Sequence, residues 1–187
     1  MARDPHAGTI SHSLVSGPSR TRRGRILVHM NEPTADVTVS PGATTCSDLA
    51  GRYAVAVDSR DDRAVAALFT ADAEFVQPAA LTRGAGDVVT VGADAIAAAI
   101  LGATGHLRAT HHAVHQVVVD ADGDSASAVV YCLAHHLYAA RDGGIRDNAV
   151  AIRYRDRYRR VGGRWLIARR ELAVDFTDDR PVTIPNR

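Results

Sequence analysis

The sequence lacks lysine altogether, so all 22 basic residues are arginine. This absence excludes Schiff-base chemistry on a lysine and the lysine-dependent phosphate loop of nucleotide-binding enzymes. Only two cysteines are present, Cys46 and Cys132, and they lie far apart in the chain. A disulfide framework or a structural zinc site is therefore not expected, and the composition favours a reducing cytoplasm.

Long apolar runs and several common catalytic motifs are also missing. No run approaches the roughly 18 apolar residues that span a bilayer, and residues 1–19 contain no continuous apolar segment of the kind found in secretory signals. The sequence contains no G-x-S-x-G, G-x-G-x-x-G or P-loop motif, so serine-nucleophile, dinucleotide and phosphoryl-transfer chemistry have no support. A net charge of +1 gives no electrostatic reason to expect nucleic acid or an anionic membrane as a partner.

The composition predicts one folded domain with two appendages. An apolar share of 46% is enough for a core, and we place the domain at residues 44–178. Residues 1–43 are rich in Ser, Thr, Pro, Gly and Arg and show no periodicity, which predicts a disordered leader. The arginine-rich run at 20–25 leaves a nucleic-acid or targeting arm as the less favoured alternative. Residues 179–187 are assigned to a C-terminal tail.

Hydrophobic periodicity predicts helices first and strands afterwards. Cys46, Leu49, Ala50, Tyr53 and Val57 recur at helical spacing, which indicates an amphipathic first helix. Further helices are predicted at 63–69 and from Gly92 to about Leu101, and 78–91 has no clear period. Strands are predicted at 73–77, 110–120, 127–140, 148–161 and 165–176.

The predicted strand at 148–161 alternates most cleanly. Val150, Ile152, Tyr154, Asp156 and Tyr158 fall on one face, and the other face carries the arginines at 153, 155, 157 and 159. Helices followed by a long antiparallel meander indicate an α+β fold with the helices on one sheet face.

Short sequence motifs recur over residues 47–176. They are 53–58, Asp58-x-x-Asp61, Leu68-Phe69-Thr70-x-Asp72-Ala73, Gly92-x-x-Ala95-Ile96, Thr110-x-His112, Asp122-Gly123-Asp124-x-Ala126, Tyr154-x-Asp156, and Gly163-x-Trp165-x-Ile167 with Arg170. Together these motifs resemble the SnoaL-like branch of the nuclear transport factor 2-like superfamily, which includes scytalone dehydratases, ketosteroid isomerases and polyketide cyclases. The resemblance implies a cone-shaped, curved antiparallel sheet wrapped around three N-terminal helices (a cystatin-like α+β barrel), one pocket and a homodimer.

Three residues are the leading candidates for chemistry. Asp58 follows the apolar face of the first helix, and His112 and His135 lie on consecutive strands. A carboxylate bonded to one imidazole would fix its tautomer, and histidine titrates near neutrality. The resemblance to scytalone dehydratases implies that these three residues form the catalytic set. We expect His112 to move the proton and His135, held by Asp58, to assist.

Further predictions concern the histidines beside this set and the substrate-binding residues. Strand histidines are often satisfied core residues, and we expect His111, His115 and His136 on the opposite strand faces. A metal site of two histidines and a carboxylate is less favoured, because no H-x-H or H-E-x-x-H spacing occurs and the family's pockets usually lack metal. Neither a metal nor a cofactor is predicted. The predicted substrate-binding residues are Tyr53, Tyr131, Tyr154, Asp156 and Gln77.

Two of these assignments carry an alternative. Asp156 is more simply explained as a buried partner of Arg170 or of a tyrosine hydroxyl. The resemblance places Val57, Gln77 and Tyr154 where the dehydratase has tyrosines and an asparagine, so this sequence departs from the dehydratase pattern there.

These features predict a small acid–base enzyme of the lyase, isomerase or cyclase type. Its ligand would be an apolar, oxygenated small molecule such as a polyketide, an aromatic or a steroid-like compound. One alternative is a non-catalytic ligand-binding or assembly domain. Another is a dioxygenase β-subunit-like partner, for which the arginine row at 153–159 offers a contact surface.

Overall fold

The computed structural model of the protein describes residues 45–82 and 84–185. The predicted leader at 1–43, with its arginine-rich run, lies outside the described residues. The described chain contains three helices and six strands. They are α1 (Asp48–Asp58), α2 (Asp62–Ala66), β1 (Phe69–Gln77), β2 (Val88–Val91), α3 (Ala93–Thr104), β3 (Ala109–Asp122), β4 (Ser125–Ala139), β5 (Ile145–Val161) and β6 (Arg164–Val182).

The first helix forms where the apolar spacing predicts it. Leu49, Ala50, Tyr53 and Val57 are buried on one face of α1, which packs into the core. The Asp48 carboxylate accepts a hydrogen bond from the Thr45 backbone N–H at the start of the helix. The helix ends at Asp58, close to the left-handed conformation of Arg60 (φ 56°). The last side chain of α1 is therefore a carboxylate.

The second helix is shorter than the pattern predicts. Asp61 caps its N-terminus by accepting from the Ala64 N–H, and the helix stops at Ala66. Phe69, predicted to be helical, instead begins β1 and is paired with Ile167 of β6. The prediction was wrong here because a long-range strand pairing outweighs local helical spacing.

The six strands form one sheet in the order β2-β1-β6-β5-β4-β3. The α+β prediction is confirmed, and the sheet is mixed because β1 runs parallel to β6. Strand β2 lies in the stretch for which the sequence shows no period. Strand β6 continues to Val182, pairing with the first residues of β5, and so includes residues 179–182 of the predicted tail.

The inner face of the sheet packs on the helices and carries the core. On β5 the predicted inward set at 150–158 is buried, as the alternation indicates. On the outer face, arginines pair with acids of neighbouring strands, such as Arg155 with Glu171 and Arg153 with Asp175. Within residues 45–82 and 84–185, no helix is long and apolar enough to cross a membrane.

Candidate active site

A cavity of about 750 Å³ opens between the helices and the inner face of the sheet. Its apolar wall comes from α1, α3 and four strands, and its polar side chains come from α1, β1, β3, β4 and β5. The apolar lining includes Val57, Phe75, Ile100, Leu107, Val150, Ile152 and Leu172, and the polar lining includes Tyr53, Gln77, His112, His136, Asn148 and Tyr154. The cavity thus combines an apolar surface with polar side chains from several elements, as small-molecule sites do.

Asp58 and His112 form an acid–base pair at the wall of this cavity. The Asp58 Oδ1 atom lies 2.6 Å from His112 Nδ1, and Oδ2 accepts the His112 backbone N–H at 2.8 Å. Oδ1 also accepts the Thr110 hydroxyl at 2.8 Å. Because Asp58 is an acceptor, Nδ1 carries the proton, and Nε2 is the nitrogen left to act on a cavity ligand.

The hydrogen bonds of Asp58 keep its carboxyl group ionised. Burial raises the pKa, but hydrogen bonds from the His112 ring, the His112 backbone and Thr110 outweigh it. The net effect lowers the pKa of Asp58 from 3.8 to about 2. The carboxylate therefore keeps its negative charge at the pH of a cell.

The second histidine on the cavity wall is His136 on β4. Its ring lies edge to face with that of His112, with centroids 6.1 Å apart. Burial, and after it the nearby His112, lower the pKa of His136 from 6.5 to about 4. His136 is therefore a neutral imidazole at neutral pH, available as a hydrogen-bond donor or acceptor.

His135 lies on the other face of the sheet, which corrects the predicted catalytic set. Its Nδ1 is 2.7 Å from Asp147 Oδ2, so Asp147, and not Asp58, holds it. Its ring packs on that of His111, 6.0 Å away between centroids. The reason is strand register, because directly opposed residues share a sheet face. His111 opposes His135, whereas Thr110, two residues before His112, opposes His136.

The predicted substrate-binding residues divide in the same way. Tyr53, Tyr154 and Gln77 line the cavity. Burial raises the pKa of Tyr53 to about 12, so its hydroxyl stays protonated and can donate. Tyr131 was placed wrongly, because it is 43% exposed on the outer face beside Arg153. Its odd position on β4 puts it on the same side as His135.

Asp156 lies in a buried ion pair and is not among the residues that line the cavity. Arg170 donates to both of its carboxylate oxygens at 2.8 and 2.6 Å, and the Tyr158 hydroxyl donates at 2.7 Å. Both predicted kinds of partner are thus confirmed, whereas the predicted substrate contact is not. The fully buried guanidinium lies 4.2 Å from the ring centroids of Tyr53 and Tyr154. The ion pair therefore supports two tyrosines of the cavity wall.

His136 and Asn148 are the site residues that the sequence analysis missed. They oppose each other on β4 and β5, and both line the cavity. A signal was present, because the even positions of β4 from 126 to 134 carry small buried residues. The odd positions carry larger apolar residues, which made the outer face resemble a core face.

Among the residues that the structure describes, no group of three or more His, Cys, Asp or Glu side chains has an arrangement that could hold a metal ion.

Comparison with solved structures identifies similar folds. A candidate scytalone dehydratase from Novosphingobium aromaticivorans is 25% identical, with a TM-score of 0.59 over 74% of this chain and 87% of that chain. A candidate aromatic ring hydroxylase from the same organism is 27% identical, with a TM-score of 0.57 over 72% and 89%. The hexachlorocyclohexane dehydrochlorinase LinA-type3 of Novosphingobium barchaimii is 17% identical, with a TM-score of 0.59 over 74% and 91%, and shows the fold alone.

Comparison with curated proteins gives no match. The family model described as the SnoaL-like domain matches residues 43–171, which include the whole Asp58–His112–His136 arrangement. This chain is therefore a member of the SnoaL-like domain family.

Proposed function

We propose that this protein is a small, cofactor-independent enzyme that transfers a proton within an apolar, oxygenated substrate, as a lyase, isomerase or cyclase does. The observation that carries the proposal is the Asp58–His112 pair, whose imidazole lines a cavity of about 750 Å³. A carboxylate-held histidine in a largely apolar pocket has the geometry and the charge of a general base.

His112 acts as the base. With its proton on Nδ1 and directed at Asp58, the unprotonated Nε2 removes a proton from a substrate C–H bond. The electron pair of that bond forms a new double bond in the substrate, and the displaced pair moves onto a carbonyl oxygen or departs with a leaving group. The imidazolium that results is stabilised by the ionised Asp58, and it returns the proton at a later step.

His136 takes the assisting role that the sequence analysis gave to His135. As a neutral imidazole 6.1 Å from His112 between ring centroids, it donates a hydrogen bond to a substrate oxygen. Asn148 on the opposing strand supplies an amide to the same region. Tyr53, protonated at neutral pH, is a further donor on the wall. These donors favour a substrate that carries hydroxyl or carbonyl oxygens.

The volume and lining favour a substrate of several fused or linked rings, such as a polyketide, an aromatic or a steroid-like compound. The 25% identical candidate scytalone dehydratase supports elimination of water as one form of the reaction. An elimination would use both the base and the hydrogen-bond donors of the cavity wall, because His112 removes the proton while a donor such as His136 assists the departing oxygen.

The proposal is tested with 5-nitrobenzisoxazole, which opens when a base removes its C3 proton. The C–H pair then forms the nitrile, and the N–O bond breaks to release a coloured phenolate. We expect His112→Ala to lower kcat/KM by about 100-fold or more. The matched control is His135→Ala, which removes a histidine from the other face of the same sheet and leaves the rate unchanged.

Equal rates for the wild type and His112→Ala would overturn the proposal. A non-catalytic ligand-binding domain would then remain, and it would still bind an apolar probe in the cavity. A rate loss in His135→Ala of the same size as in His112→Ala would also overturn the proposal, because the loss would not depend on the cavity.

A second candidate function rests on the 27% identical candidate aromatic ring hydroxylase. As a β-subunit-like partner of a ring-hydroxylating dioxygenase, the chain would co-purify with a larger iron–sulfur protein when isolated from its native cells. Isolation of the active chain free of iron contradicts this candidate.

We also propose that two copies associate through the outer face of the sheet. Val129, Tyr131 and Phe176 expose apolar side chains there, with Phe176 65% exposed. Such a patch is typical of an interface. We expect a dimer in light scattering and a monomer for Tyr131→Glu combined with Phe176→Glu. A monomeric wild type contradicts the proposal.

A further inference from the structure

The Thr110-x-His112 motif contains a residue, Thr110, that the proposed base mechanism does not use. Thr110 is two positions before His112 on β3, on the same face of the strand. Its hydroxyl donates to Asp58 Oδ1 at 2.8 Å. We propose that Thr110 is a positioning residue that holds the Asp58 carboxylate in the orientation that His112 needs. The inference rests on the proposed base function of His112.

Three donors from one short segment of β3 determine the orientation of the carboxylate. Thr110 Oγ1 and His112 Nδ1 both donate to Oδ1, and the His112 backbone N–H donates to Oδ2. The backbone donor fixes one oxygen, and the Thr110 hydroxyl fixes the other independently of the imidazole. The His112 ring therefore meets an acceptor whose position is already determined.

The position of Asp58 at the end of α1 makes this second support necessary. No helical turn follows it, and its carboxylate reaches across to another element, 52 residues away in sequence. Without Thr110, Oδ1 would keep the imidazole as its one hydrogen-bond partner among the described residues, and the carboxylate and ring would be able to move together. Small displacements of a base reduce proton transfer strongly because the reacting atoms must be aligned.

Thr110 also contributes to the charge state of Asp58. Burial raises the pKa of that carboxyl, and hydrogen bonds from the His112 ring, the His112 backbone and Thr110 bring it down to about 2. The titratable groups near the carboxylate are His112 on β3 and His136 and Cys132 on β4. Thr110 is a donor to Asp58 that does not titrate, so its substitution leaves these titratable groups in place.

The chain allows a matched pair of variants at this position. Thr110→Val keeps the size and β-branching of the side chain and removes the hydroxyl, whereas Thr110→Ser keeps the hydroxyl. With 5-nitrobenzisoxazole, we expect Thr110→Val to lower kcat by about 10-fold with KM unchanged. Thr110→Ser should retain a rate close to that of the wild type.

A second measurement does not depend on turnover. The Asp58 side-chain carboxyl is followed by ¹³C NMR in both variants between pH 6 and pH 3. We expect protonation to begin at higher pH in Thr110→Val than in the wild type or Thr110→Ser, because one donor to the ionised form is missing. This titration measures the effect of Thr110 on Asp58 even if His112 is not a base.

The outcomes separate the two proposals. If His112→Ala loses activity while Thr110→Val retains the wild-type kcat, the role of Thr110 is overturned and the base function stands. If Thr110→Ser loses as much as Thr110→Val, the hydroxyl is not the cause and the inference fails. An unchanged Asp58 titration in Thr110→Val also overturns it. The inference is supported if Thr110→Val, but not Thr110→Ser, loses kcat and begins to protonate Asp58 at a higher pH than the wild type.

Discussion

The rings of His112 and His136 meet edge to face on the inner surface of the sheet, with their centroids 6.1 Å apart. One strand position away, His111 and His135 make a second pair on the outer surface, with centroids 6.0 Å apart and the rings tilted by 37°. Each pair has one histidine held by a carboxylate through Nδ1, Asp58 inside and Asp147 outside. Only the inner pair lines the cavity. The outer pair therefore provides an internal control for the chemistry of the inner one.

Acid should destabilise the protein through His136. Its pKa is lowered from 6.5 to about 4 on folding, so the unfolded chain binds the proton more readily between these values. The contribution of His136 to stability is therefore complete above pH 6.5 and is lost as the pH falls towards 4. The loss is roughly 2–3 kcal/mol.

This pH dependence is measured by urea unfolding at pH 7, 5.5 and 4.5. In His136→Gln, which does not titrate, we expect a smaller loss of unfolding free energy across this range. His111→Gln, at an exposed position of the outer pair, should keep the wild-type slope. An identical slope in His136→Gln and the wild type would show that His136 is not the group responsible.

Removal of the outer histidine should reduce stability without reducing activity. His135→Ala takes the hydrogen-bond partner from Asp147, whose side chain is only 5% exposed and whose Oδ1 has no partner among the described residues. A buried carboxylate that loses its donor costs about 1–3 kcal/mol. We expect that decrease in urea unfolding at pH 7, with an unchanged rate on 5-nitrobenzisoxazole. Wild-type stability in this variant would contradict the structural role of the pair.

The Asp156–Arg170 pair should be costly to break from one side. Both side chains are fully buried, so Arg170→Met leaves an unpaired carboxylate in the core. We expect a loss of about 3–5 kcal/mol in unfolding free energy. The double variant Asp156→Leu with Arg170→Met removes both charges and should recover a large part of that loss. A single variant within about 1 kcal/mol of the wild type would contradict the buried-pair account.

The double variant Asp156→Leu with Arg170→Met should also disturb the cavity wall. The Arg170 guanidinium packs against the rings of both Tyr53 and Tyr154, which line the cavity. We expect the double variant to raise KM for 5-nitrobenzisoxazole more than it lowers kcat, because the hydrogen-bonded pair of Asp58 and His112 is intact. A fall in kcat with KM unchanged would contradict this expectation.

Local sequence patterns were sufficient to predict the buried face of an element wherever its two faces differ in polarity. The apolar spacing of α1 and the tyrosine–arginine alternation of β5 both predict the observed buried face. Asp58 could be placed for the same reason, since it follows the apolar face of α1 and ends the helix. Strand β4 gives no such contrast, because Tyr131, Leu133 and Leu137 alternate with Val130, Cys132 and Ala134.

The sequence by itself determined the α+β class, the helix that ends in Asp58, and a histidine-rich pair of strands beside it. Only the tertiary structure decided which histidines share a face. That choice depends on the register between β3 and β4, including the irregularity between Val114 and Val117. A shift of one residue would exchange the inner and outer faces of a strand. Register is fixed by pairing and packing across the whole sheet, which a local pattern of residues does not contain.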